Sequence, residues 1–81
     1  MARVKSISEG RQNVKIHPTE VDLFYQVVQD RAGRRFMHLS TFGSDSRTSA
    51  PKSSQSIQLD EARALELVRL VAQAFGINSL N

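Results

Sequence analysis

The chain has 81 residues, 11 of them Lys or Arg and 8 Asp or Glu, for a net charge of +3, and it contains no cysteine. That length holds one small domain, 1–81, and not two. The missing cysteine excludes disulfides and thiolate metal sites, so self-association is the expected source of extra stability. No apolar run approaches the roughly 20 residues that span a bilayer. The basic start, Met1–Ser6, leads into no apolar stretch and does not read as a signal peptide. A soluble, cytoplasmic, bacterial-type protein is expected, with no membrane partner.

Taken in order, Arg3–Ser8 alternates weakly and predicts a strand. Glu9–Asn13 is a turn, and Val14–His17 predicts a second short strand paired with the first, interrupted by Pro18. Val21–Gln29 is rich in β-branched and aromatic residues and predicts a firmer strand, with Leu23, Tyr25 and Val27 on one face. Asp30-Arg31-Ala32-Gly33 reads as a hairpin loop, with Gly33 in a left-handed or bulge position. Arg34–Phe42 is the return strand; Phe36, His38, Ser40 and Phe42 share one of its faces. Residues 43–53 form a Ser-, Gly- and Pro-containing loop that carries Arg47 and Lys52.

Ser54–Leu59 alternates again, with Ile57 and Leu59 inward and Ser54, Ser56 and Gln58 outward. Asp60 reads as the N-cap of a helix from about Glu61 to Phe75, and Gly76 as its left-handed stop, followed by Ile77. The helix is apolar over a wide arc that includes Leu65, Leu67, Leu70, Val71 and Ala74. One sheet covers such an arc poorly. Those five residues are therefore the expected dimer interface, set against a monomer with one strongly curved sheet. The fold class is α+β: an antiparallel sheet of about four strands and one C-terminal amphipathic helix, with the core in about 20–77.

No catalytic constellation stands out. His17 and His38 lack partners at metal-ligand spacing, and no serine sits in a nucleophile elbow or a Ser-x-x-Lys motif. No enzyme activity, metal or cofactor is expected. What remains is basic and aromatic. Arg31, Arg34, Arg35, Arg47 and Lys52 fall in a segment whose one acid is Asp45, interleaved with strand aromatics that include Phe42. Cations that track a phosphate backbone beside flat rings that stack bases are how single-stranded nucleic acid is bound. Gln58 is placed to add a hydrogen bond. The same residues also read as core aromatics and a solvated surface.

The order of strands, basic loop, short strand and single C-terminal helix over about residues 20–76 resembles the positive-cofactor-type transcriptional coactivators and their bacterial relatives. The local likeness is Arg34–Phe42, a loop with Lys52, then Ser56-Ile57-Gln58-Leu59 and a helix. The Gly-Lys-Gly-Ile-Ser-Leu type run of that family is here Lys52-Ser53-Ser54-Gln55-Ser56-Ile57-Gln58-Leu59, without the glycines. The resemblance implies a homodimer with curved four-stranded antiparallel sheets that bind single-stranded DNA and act in transcription regulation. Phe42-Gly43-Ser44, Arg47 and Ser54-Gln55 to Asp60 also resemble a signature found in small bacterial proteins, which implies no function. The function expected is thus a dimeric, non-enzymatic DNA- or RNA-binding protein. The alternative is a protein-interaction module or regulatory subunit that uses the apolar face of the helix.

Overall fold

The computed structural model describes residues 1–42 and 53–78. The basic loop expected at 43–53, with Arg47 and Lys52, therefore lies outside the described residues except for Ser53, as does the side chain of Ser54. The elements are β1 (Ala2–Arg3), β2 (Asp22–Gln29), β3 (Arg35–Phe42), β4 (Ser53–Leu59) and α1 (Glu61–Phe75). The architecture is α+β, a four-stranded sheet in the order β1-β4-β3-β2 followed by one C-terminal helix.

The sheet differs from the expected antiparallel one at its N-terminal edge, where the strand expected at Arg3–Ser8 is the short Ala2–Arg3 and none forms at Val14–His17. β1 runs parallel to β4, with Ala2 opposite Ile57 and Arg3 opposite Gln58. Its pairing with Val14–His17 does not form, and Val14 and Ile16 stay 73% and 97% exposed. The reason is energetic. Two short segments with two apolar side chains each make a marginal hairpin in water, whereas β4 offers the N-terminus a ready edge.

The β2–β3 hairpin closes as its sequence dictates. Asp30 N–H donates to Arg34 O at 2.9 Å and Gly33 N–H donates to Asp30 O at 3.1 Å, with Gly33 at φ 87°. This is a type I turn ended by a glycine bulge, and the positive φ is why glycine stands there. Asp30 braces the turn from the side: its carboxylate accepts from Ala32 N–H, Arg34 N–H and Arg34 Nε, each at 2.9 Å.

Register then sets the faces. Val27 lies opposite Met37 and Tyr25 opposite Leu39, and on the other side of β3 Met37 lies opposite Leu59 and Leu39 opposite Ile57. These residues make the inner face, which α1 meets through Ala64 beside Val27, Met37 and Leu59. Leu59 is the one buried apolar residue among those described, at 4% exposed. Ile57 shares its face but remains 43% exposed, because α1 covers the Leu59 end of the sheet and not the other.

The helix is capped at both ends by the residues its sequence marks. Asp60 accepts from Arg63 N–H at 2.8 Å, and Gly76 at φ 65° lets Ile77 N–H return to Ala72 O at 2.8 Å. Past β1 the chain follows the helix. Val4 N–H donates to Gln58 O at 2.8 Å, Arg63 Nη1 donates to Lys5 O at 3.0 Å, and Ile7 lines a cleft with Leu70 and Ala74.

Candidate nucleic-acid interface

Because β-strand side chains alternate, the face of the sheet turned away from α1 carries Phe24, Gln26 and Val28 of β2, Phe36, His38, Ser40 and Phe42 of β3, and Ser56 and Gln58 of β4. Arg3 of β1, opposite Gln58, joins the same row. This outer face is built of aromatic rings and polar groups, with the Asp22 carboxylate at the end of β2 opposite Phe42. Phe24 and Phe42 meet edge to face with centroids 5.0 Å apart and planes at 78°, and Phe24 is 55% exposed. Between the rings Ser40 is small enough to sit buried, at 7% exposed.

Two cations stand close to Phe36. The guanidinium of Arg3 and that of Arg34 each lie 5.9 Å from its ring centroid, within the range where a ring quadrupole attracts a cation. Arg3 arrives from the far edge strand and Arg34 from the hairpin, so only the folded sheet brings them together. Next in the row, Gln58 Nε2 lies 3.1 Å from His38 Nδ1. For the amide to donate there, Nδ1 must be the accepting nitrogen.

At the end of the sheet nearest the start of α1, an open groove of about 730 Å³ is lined by Arg3, Lys5, Arg34 and Arg35 with Phe36, and by Asp60 and Glu61 on the helix side. Arg34 also pairs with Asp30 at 2.9 Å and keeps 70% of its side chain exposed. Its guanidinium and the backbone N–H groups of Arg34 and Ala32 hold the Asp30 carboxyl below the usual carboxylate range, with the Arg34 backbone bond the largest cause. Asp60 is committed to the helix cap.

Of the residues singled out in the sequence, Arg34 and Arg35 share this groove, and Phe42 and Gln58 share the outer face beside it. Arg31 sits exposed at the hairpin tip and does not line the groove. Arg47 and Lys52 lie outside the described residues. Gln58 and Ser56 are half-buried rather than fully outward, since they lie between β3 and β1 instead of on an edge. Sequence reasoning missed Arg3 and Lys5. The weak alternation of Arg3–Ser8 does not name β4 as the partner that places them.

Of the helix residues, Leu65 and Val71 stand 49% and 41% exposed. Leu67 is half-buried, and Leu70 and Ala74 line the cleft with Ile7. Among the described residues no helix is long and apolar enough to cross a membrane. No family model, curated protein or solved structure matches the chain.

Proposed function

We propose that this protein binds single-stranded nucleic acid as a non-enzymatic homodimer, in the cytoplasm, with the outer face of the sheet as its platform. The observation that carries this reading is Phe36 with the Arg3 and Arg34 guanidinium groups each 5.9 Å from its ring centroid, at the mouth of a groove that holds four cations. Phosphates run along Arg3, Lys5, Arg34 and Arg35, while unpaired bases lie on Phe36, Phe24 and Phe42. A duplex keeps its bases stacked within itself and offers such rings nothing, so single strands are preferred. Stacking on rings accepts any base, so recognition is sequence-tolerant.

Fluorescence anisotropy with a labelled single-stranded oligonucleotide and its duplex tests the reading. Single strands are expected to bind more tightly. The Phe36→Ala change is expected to lower single-strand affinity about 5- to 150-fold, the equivalent of one base-stacking contact of roughly 1–3 kcal/mol. Equal affinity for both forms, unmoved by Phe36→Ala, overturns it.

A second reading rests on a separate observation. Leu65, Val68, Val71 and Phe75 of α1 are 41–78% exposed, a stripe that suits an adaptor or regulatory subunit. Light scattering separates the two in part. A monomer that self-associates only weakly favours the adaptor, and a tight dimer favours the nucleic-acid reading.

A further inference from the structure

β2 ends the sheet, and its sequence does nothing to protect that edge. Natural edge strands are short, bulged, or marked with Lys or Pro. β2 has eight residues in unbroken register with β3, carries no Lys, Arg or Pro, and exposes large apolar side chains on both faces: Leu23 62%, Tyr25 74% and Val27 58% inside, Phe24 55% outside.

The hairpin fixes which backbone groups of this edge lack a partner in the sheet. Asp30 N–H bonds to Arg34 O, so Val28, Gln26, Phe24 and Asp22 are the positions that exchange hydrogen bonds with β3. The alternation of an antiparallel ladder then turns the N–H and C=O groups of Leu23, Tyr25, Val27 and Gln29 outward.

We propose that a second copy of this chain pairs antiparallel along β2, centred on Tyr25. The proposal rests on the homodimer of the reading above and names the surface that forms it. Three features agree on the register. With Tyr25 opposite its own counterpart, Leu23 falls opposite the counterpart of Val27, and the outward backbone groups of all three meet outward groups. The side chains that meet are apolar on the inner face, Leu with Val and Tyr with Tyr, the pairs that stabilise sheets.

Charge selects the antiparallel sense. Glu20 and Asp22 lie at one end of the strand, while at the hairpin end Arg31 and Arg35 stand beyond the internally paired Asp30 and Arg34. Antiparallel pairing brings the acidic end of each strand towards the basic hairpin end of the other, whereas parallel pairing brings like ends together. Odd positions meet odd positions, so the symmetry axis is perpendicular to the sheet. Both helices then share one side, and the two aromatic, cationic outer faces join into one continuous eight-stranded platform.

The chain has no cysteine, so a single introduced thiol is a clean probe. Paired residues that exchange hydrogen bonds have Cα atoms about 5.5 Å apart. A short bismaleimide is therefore expected to join Tyr25→Cys into a covalent dimer and to leave Leu65→Cys, on α1, as monomer. Amide exchange of the unmodified protein supplies a readout that needs no variant: the Leu23, Tyr25 and Val27 amides are expected to be protected. Free exchange at those three amides, or cross-linking of Leu65→Cys in place of Tyr25→Cys, overturns the proposal. Oligonucleotide binding is measured separately on the same protein. Loss of edge pairing with binding intact defeats this inference alone, and edge pairing without binding defeats the nucleic-acid reading alone.

Discussion

Phe36 shows how much of the site depends on single side chains. It is half-buried, so the sheet holds its ring still while Arg3 and Arg34 hold charge beside it. Removing one of these cations should act differently from removing the ring. Arg3→Ala is expected to weaken binding to all single strands alike and to reduce the salt slope by about 0.7, one phosphate contact. Arg31→Ala, at the hairpin tip and outside the groove, is expected to change that slope less, and anisotropy at several salt concentrations reads both. Asp30 carries a pH dependence whose sign is fixed. Its folded pKa is lowered from 3.8, so its contribution to stability is present above the unfolded pKa and is lost as pH falls through the folded value. Asp30→Asn should therefore melt below the natural protein at pH 7, and the two melting curves should converge under strongly acid conditions. Convergence at pH 7 would show that the carboxylate does not brace the turn.

Elements formed by neighbouring residues were legible in the chain, and those formed across it were not. The helix begins and ends where Asp60 and Gly76 place it, because a cap acts over three or four residues. The hairpin likewise turns on Asp30 and Gly33, four residues apart at most from everything they bond. Each device has a measurable worth. Asp60→Ala is expected to cost about 1 kcal/mol, or roughly 4–8 °C in Tm for a domain of this size. Leu59→Ala is expected to cost about 2–5 kcal/mol, since it removes the one buried apolar side chain among the described residues. Thermal melts of the two variants check that order, and an equal or reversed ranking would mean that the helix–sheet contact at Leu59 is not the core. β1 was not legible because its partner lies 55 positions away, Ala2 against Ile57, and an alternating pattern says nothing about which distant strand will accept it. Arg3 and Lys5 went unread for the same reason, although they supply half the cations of the groove.

For the molecule as a whole, the excess of surface is the leading fact. The Cα radius of gyration is 15.2 Å, against about 12 Å for a compact chain of 81 residues. The accessible surface is 7866 Å², about 3,000 Å² above what a compact monomer of this size shows. A stable interface takes about 800 Å² from each partner, about a tenth of this surface. Sedimentation of the unmodified protein is expected to show a dimer, and a chain that stays monomeric at every concentration would leave this surface without the partner assigned to it. On the proposed reading the two roles fall to separate surfaces: the β2 edge for the second copy, the outer face and its groove for the strand. The measurement closest to the central claim is the affinity for a labelled single-stranded oligonucleotide at 50 and 200 mM salt. With Arg3, Lys5, Arg34 and Arg35 each on a phosphate, the slope of log affinity against log salt should be about −2.8, a loss of about 50-fold over that range. Absence of binding at 50 mM, or binding indifferent to salt, would contradict it.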